Sequence, residues 1–545
     1  MFAMLVDFAS PVSLDWLTLS VIPILFYYFV YTIYSLYFSP LANYPGPFFA
    51  KISSWPNFYH STTGYRHIWI WQCHQKYGDA FRFKPDGVLF NSPSAYRTIY
   101  NSRANVKKGK FYEIWPRNTQ NINTLTTIDK SAHGRKRRVL NSAFSEKAIR
   151  SAAGFVSEHV DRWNEVFLAD NDGKEWTSPK NMSKMADYLV FDIMGDLCFG
   201  KSFELKEPGE NEFRHMPHTI AEYMQFMYPA SMITQSPMMK FWVWLKPRGL
   251  DSLFESMLPK NIRSYYEFVE ANVARRQKEE EVLKRSDAEE GRGRNDLFHY
   301  LFNATDELGN PGYNTDELYA EANLLIIAGS DTTATTLVGF WFYITRNLRV
   351  YEKLVKEIRT AFDRAEDIQV GTTLSSCNYL QACIDEVLRA APAGVADLVR
   401  EVLPGGLEIE GGRLPEGTQL GVAQWSIMHH EESFGDPWTF RPERWIADSS
   451  TGVTPEDVAR ARSAFNPFTI GAGNCVGQKF AMEELLITVA RTLWRMDARL
   501  VPGDNLGAGS SKLGWGSRDK NHIVLRDAWI SIKDGPMVQF RKRVD

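Results

Sequence analysis

The sequence predicts a mainly α-helical body with a minor β-sheet component, set behind a single N-terminal transmembrane helix. Three observations carry this. An uncharged apolar run from Trp16 to Phe38 is long enough, at about 1.5 Å per residue, to cross a hydrocarbon core of roughly 30 Å. No proline interrupts the chain between Pro311 and Pro392, which leaves room for several long helices. Beyond Pro392 the chain turns rich in Gly and Pro with short apolar segments, as strands and irregular coil require.

Taken in order, residues 1–15 form a short N-terminal segment and residues 16–38 the anchor, with Tyr and Trp at its ends suited to the membrane interfaces. No basic region precedes the run and no small-residue cleavage site follows it, so it reads as a retained anchor rather than a signal peptide. Asp7 and Asp15 lie before it and Lys51 and Arg66 come first after it, which orients the body to the cytosol. Pro40, Pro45, Gly46 and Pro47 make residues 39–47 a stiff non-helical hinge, followed by one catalytic domain over 48–545. Ala80–Lys84 alternates as a strand and turns through Pro85-Asp86-Gly87 into Val88–Phe90. The charged run Arg275–Glu281 with the polar stretch at 286–293 reads as a solvated helix end and exposed loop. With 62 Lys+Arg against 65 Asp+Glu, the chain lacks the basic surplus that a nucleic-acid partner demands. Its 5 cysteines are odd in number and contain no C-x-x-C pair, which excludes a disulfide framework and favours a reducing compartment.

Three constellations carry chemistry. Asn314 and Glu317 form a capping box for a helix running to about Arg346, and inside it lies Ala328-Gly329-Ser330-Asp331-Thr332-Thr333. Glycine there costs about 1 kcal/mol relative to alanine. The small face therefore either admits a large planar group or makes a close helix–helix contact; Thr332 either back-bonds to a carbonyl or offers a proton to a ligand. Glu386 and Arg389 share a helix face over Leu380–Ala391, and Phe440-Arg441-Pro442-Glu443-Arg444-Trp445 is a proline-fixed turn. Both are bland alone, an exposed i, i+3 pair being worth about 0.2–0.5 kcal/mol. Finally, Phe468-Thr469-Ile470-Gly471-Ala472-Gly473-Asn474-Cys475-Val476-Gly477 places one cysteine in a glycine-rich loop before a helix starting near Lys479. Backbone amides and the helix start would stabilise a thiolate at Cys475. A buried structural cysteine, a nucleophile whose base the sequence does not place, and an axial ligand of a large cofactor are the three readings; the cleared space suits the last.

In this order, the small-residue helix with Asp331-Thr332, the E-x-x-R, the P-E-R turn and the F-x-x-G-x-x-x-C-x-G loop resemble cytochrome P-450. With the anchor and the proline elbow, the chain is similar to the membrane-bound, microsomal, fungal type over essentially everything after residue 38. The resemblance implies a haem b whose iron takes Cys475 as thiolate ligand, with Phe468 packed beneath and Gly471 and Gly477 shaping the loop. It implies Asp331 and Thr332 as a catalytic proton-delivery pair, Ala328 and Gly329 as a groove over the cofactor, and Glu386, Arg389 and Arg444 as a structural triad. Arg137 would hold a haem carboxylate, with His133 standing where the family has Trp, and Arg400 would hold another. Gly473 departs from the family, which has Arg or His there, so one carboxylate contact falls to another residue, His133 being the sequence's candidate. The implied activity is a monooxygenase that activates O2 with electrons from a separate NADPH-dependent flavoprotein reductase and hydroxylates a lipophilic small molecule in secondary-metabolite biosynthesis. The implied location is the endoplasmic reticulum membrane, single-pass, with the catalytic domain cytosolic. The alternative is a haem-thiolate isomerase or dehydratase needing no external electrons. Pocket lining is expected from Ile326, Ile327, the surroundings of Thr333, and Ala393–Asp397.

Overall fold

The computed structural model describes residues 11–544 apart from 117–121, 171–172, 234–235, 258, 286–295 and 306–308. The loop expected at 286–293 lies outside the described residues. Helices dominate, and the sheets are small, as expected. One apolar core is threaded by the helix Thr315–Ile344, whose C-terminal half is buried on all sides. A helix apolar all round must be central. Its N-terminus is closed by the expected box: Glu317 N donates to Asn314 Oδ1 (2.8 Å) and Asn314 N to Glu317 Oε2 (3.1 Å). It packs against Met182–Phe199, against Asn378–Ala390 with its E-x-x-R, and against Gln478–Arg495, which follows the cysteine loop.

A five-stranded sheet runs in the order Ala80–Lys84, Gly87–Phe90, Gln419–Val422, Arg400–Val402, Val106–Lys108. The first two strands are the expected antiparallel hairpin. Gly87–Phe90 then pairs in parallel with Gln419–Val422, so the sheet joins the two ends of the catalytic body. The outer antiparallel pair sets Lys108 directly opposite Arg400. Like charges in that position repel unless an anion joins them. A two-stranded hairpin, Arg526–Ala528 with Ile530–Ile532, folds its tip residue Trp529 under the cavity described below.

The N-terminal helix runs Pro11–Ile33 and continues as a wider turn over Tyr34–Phe38. Its side chains from Val21 to Val30 are exposed, as an anchor in lipid requires, whereas the equally apolar Thr315–Ile344 is mostly buried inside the body. The sequence boundary at residue 38 cuts through a tertiary contact. Arg82 is 1% exposed and donates from Nη1 to Ser35 O (2.7 Å) and from Nη2 to Ser35 Oγ (2.8 Å), while Ser35 Oγ donates to Lys51 O (2.5 Å). The elbow is held from the same side: Arg82 N donates to Pro45 O, and a Cβ at Gly46 would lie 2.4 Å from Arg82 O. The last turn of the anchor is thus part of the body. A chain starting at residue 40 is expected to have a lower urea midpoint than one starting at residue 34, by the equivalent of about 1.5–3 kcal/mol for stranding charged donors. Equal midpoints would mean that water replaces Ser35 fully.

Candidate active site

Cys475 sits where the loop turns into the helix Gln478–Arg495. Its amide donates to Phe468 O (2.8 Å), which closes the loop, and Thr469 holds a left-handed backbone (φ 56°) with its hydroxyl donating to Gly473 O (3.0 Å). Gly471 is required by close approach: a Cβ there would lie 2.1 Å from Tyr100 O. A Cβ at Gly477 would lie 3.9 Å from Cys475 Sγ, so that glycine borders the sulfur itself. Burial pushes the thiol pKa up from its usual value, while the Gly477 amide, Arg137 and the Gln478 amide pull against it. Four cysteines are buried; Cys475 alone is exposed, opening on a cavity of about 500 Å³ with Arg137, Asn474 and Lys479 on its rim.

Arg137, on the helix Lys130–Ala143, reaches this rim and donates from Nη2 to Asn474 Oδ1 (2.8 Å) and from Nη1 to Asn474 O. Three more basic side chains gather near it. Lys108 donates to Thr124 O and Leu125 O, and burial with Arg400 and Arg137 drives its pKa down to about 7, against the pull of Glu321. Burial, Lys108, Arg137 and Arg400 together bring His133 down to about 4. Arg400 donates to Leu398 O and Val399 O, and a Cβ at Gly473 would lie 3.0 Å from its Nη2. The space freed at Gly473 therefore faces Arg400, not His133. Lys108 escaped the sequence reading because its partner Arg400 is brought in only by sheet pairing.

The small-residue segment splits between its two readings. Ala328 and Thr332 face a second cavity of about 320 Å³, while a Cβ at Gly329 would lie 2.8 Å from the Met194 side chain. Gly329 thus serves helix packing against Met182–Phe199. Thr332 Oγ1 donates to Ala328 O (2.8 Å), the back-bonding alternative. Asp331 turns away from Thr332: its Oδ1 accepts from Lys533 Nζ (2.7 Å), which also reaches Asp187 Oδ1 (3.1 Å). Asp331 thus sits in a buried ion pair with a lysine that no local pattern flags. Of the expected lining, Ile327, Ala393 and Gly394 border the cavity. Ile326 is in the core, Thr333 donates to Glu484 Oε2 (3.3 Å), and Asp397 is an acceptor of Arg66. Glu484 is buried, which pushes its pKa up to about 8; standing with Glu483 directly before the apolar run Leu485–Ile487, it could have been singled out. Trp529, strained at φ 70° and tilted against Trp115 with ring centroids 4.6 Å apart, lines the cavity and was also unforeseen. Such a backbone costs of order 1–3 kcal/mol and persists only where neighbours enforce it.

The E-x-x-R pair is not the surface pair its spacing suggests. Glu386 and Arg389 are wholly buried. Glu386 accepts from Arg389 Nε (3.0 Å) and Nη2 (2.8 Å), from Arg444 Nε (3.1 and 2.9 Å), from Arg441 N (2.9 Å) and from Trp445 Nε1 (3.1 Å). Burial pushes its pKa up, and Arg389 and Arg444 outweigh that, holding it below the usual carboxylate value. Removing one partner of such a group costs about 3–5 kcal/mol, an order above the surface figure.

A central helix with a small-residue notch, a cysteine loop beside a cation cluster, and a buried Glu–Arg–Arg lock define a class of helical cofactor enzymes built around one cysteine. The cytochrome P-450 family model matches residues 45–522, and the chain belongs to that family. It is 33% identical over 95% of its length to the cytochrome P450 monooxygenase poxM of Penicillium oxalicum, covering 93% of that protein. It is 34% identical to fscF of Fusarium equiseti (98% of this chain, 97% of the relative) and 35% identical to apf7 of Gibberella fujikuroi (94% and 96%), both cytochrome P450 monooxygenases. The protein is thus an oxidoreductase of the oxygen-incorporating type, and the family implies a haem with a cysteine thiolate ligand, a redox partner, O2 and a small-molecule substrate. The residues present fit such a group: two backbone amides face the one exposed cysteine, and Lys108 and Arg400, opposed across the sheet beside Arg137, call for an anion such as a porphyrin carboxylate.

Proposed function

We propose that the protein is a membrane-anchored monooxygenase in which Cys475 is the thiolate ligand of haem b and the cavity over Ala328 and Thr332 is the substrate chamber. The observation that carries this is the Cys475 loop, in which the Gly477 and Gln478 amides and Arg137 all favour the thiolate. Lys108, Arg137, His133 and Arg400 would hold the haem carboxylates, with Arg400 taking the part that Gly473 cannot. Phe468 closes the loop under the sulfur, and Glu386, Arg389 and Arg444 lock the segment leading to it.

When bound, the haem supplies reductive activation of O2. The protein's part is to orient substrate in an apolar chamber, to exclude water, and to hold protons in reach of the reacting oxygen. Thr332 Oγ1, its own proton engaged with Ala328 O, presents lone pairs to the cavity and accepts a hydrogen bond from what lies there. The Asp331–Lys533 pair sets the helix beside it. Electrons come from a separate NADPH-dependent flavoprotein reductase. The chamber's aromatic and aliphatic lining favours a lipophilic substrate of secondary metabolism, hydroxylated at one carbon. The anchor lies in the endoplasmic reticulum membrane with the body, residues 48–545 and the adjoining last turn of the anchor, in the cytosol.

The test is turnover of the purified, haem-loaded enzyme with reductase, with and without NADPH. Product forming only with NADPH, and carrying oxygen from labelled O2, is expected. Product forming equally without NADPH would instead make the protein an isomerase or dehydratase.

A further inference from the structure

The chamber is mainly apolar, yet two asparagines face it from adjoining elements, Asn123 in the loop after residue 121 and Asn323 on the helix Thr315–Ile344. Both amides are half-engaged in the same sense. Asn323 Oδ1 accepts from the hydroxyl of Tyr265 (3.0 Å), and Asn123 Oδ1 accepts from Thr126 N and Oγ1 (both 3.0 Å). The orientation of each amide follows from its partner. Tyr265 is 3% exposed, and Asn323 is its one hydrogen-bond partner among the described residues, so turning the amide over would leave the buried hydroxyl proton without an acceptor. Thr126 N can only donate, which fixes Asn123 Oδ1 likewise. Both side chains line the cavity, and among the described residues no protein acceptor meets either Nδ2.

The two donors line one cavity, one from the loop and one from the helix. Thr124, next to Asn123, donates through its amide and its hydroxyl (both 2.7 Å) to Glu321 Oε1, two positions from Asn323. The loop is thereby clamped to the helix at Glu321. Asn323 in turn shares a helix face with Ile327, which borders Ala328. Asn323 thus stands on the same helix as the notch, five residues before Ala328, a rise of roughly 7.5 Å.

We propose that Asn123 and Asn323 are specificity-determining residues that donate hydrogen bonds to acceptor oxygens of the substrate, so that this chamber selects a lipophilic molecule already bearing carbonyl-type oxygen over the matching hydrocarbon. The inference rests on the reading of this cavity as the substrate chamber and deepens it. A site built to satisfy donors discriminates against an analogue lacking the acceptor, because the donors are then desolvated and unpaired. An unoxygenated scaffold must accordingly be oxygenated by an earlier step before this enzyme takes it.

The experiment uses the full-length haem-loaded enzyme with fluorenone, which carries one carbonyl, and fluorene, which carries none. Binding is measured by equilibrium dialysis and by the shift of the haem absorbance. Wild type is expected to favour fluorenone, and Asn323→Leu, which keeps the volume and removes the donor, to lose about 3–10-fold of that preference while binding fluorene as well or better. Asn123→Leu is expected to act in the same direction, and Tyr265→Phe, which releases the amide to turn, to blunt the preference less than Asn323→Leu. Binding of neither probe, or a preference unchanged in both leucine variants, would overturn the inference. Dialysis does not depend on the haem ligand: loss of the thiolate-type ferrous–CO band with the fluorenone preference intact would instead overturn the assignment of Cys475.

Discussion

Replacing Cys475 by alanine is expected to abolish the ferrous–CO band of a haem-thiolate and all product formation, the largest effect of any single substitution in this chain. No other cysteine can stand in: Cys73, Cys198, Cys377 and Cys383 are all buried away from the glycine loop. Burial alone raises the thiol pKa of Cys475, so the two amides and Arg137 prepare the sulfur without ionising it, and a bound metal centre completes the task. Fold and ligation are separable in the test. The loop is closed by backbone bonds, Cys475 N to Phe468 O and Asn474 N to Gly471 O, which alanine leaves in place. Far-ultraviolet circular dichroism of Cys475→Ala should therefore remain close to wild type while haem content and the CO band fall. A normal CO band in the variant would show that another group binds the iron.

Local rules made much of this legible. The capping box at Asn314 and Glu317 is a four-residue signal, and the helix begins where it says and ends two residues before the expected Arg346. The Ala80–Lys84 hairpin and the helix Asn378–Ala390 follow equally from short-range pattern. What the pattern could not carry was contact between distant segments. Glu386 and Arg389 have the spacing of a surface pair, and only the return of the chain at Arg444 and Trp445 buries them. Lys108 meets Arg400 by strand register. Asp331 finds Lys533, 202 residues away, so its adjacency to Thr332 in sequence gave it the wrong partner. Gly329 reads identically whether it faces a cofactor or Met194, because a missing side chain does not say what fills its place.

Thr332 is where that ambiguity has the largest functional consequence. Its hydroxyl donates to Ala328 O, and Thr336 Oγ1 donates to Thr332 O (3.0 Å), so two successive back-bonds lie along this stretch of helix. If Thr332 only packs, alanine, the better helix former, should be tolerated or stabilising. If its lone pairs hold a hydrogen bond from the reacting oxygen, Thr332→Ala should keep haem binding and substrate-induced absorbance shifts but lower product formation by about 10²–10⁴-fold, the range of a positioned proton-handling group. NADPH consumption should fall far less, the difference appearing as hydrogen peroxide. Thr332→Ser keeps the hydroxyl and the bond to Ala328 O and should recover most of the coupling, a rescue that packing alone does not predict. The measurement is the ratio of product to NADPH consumed, with peroxide assayed in parallel. An unchanged ratio in Thr332→Ala would leave the residue as scaffold, and water in the cavity, with no help from Asp331 in its bond to Lys533, would have to carry the protons.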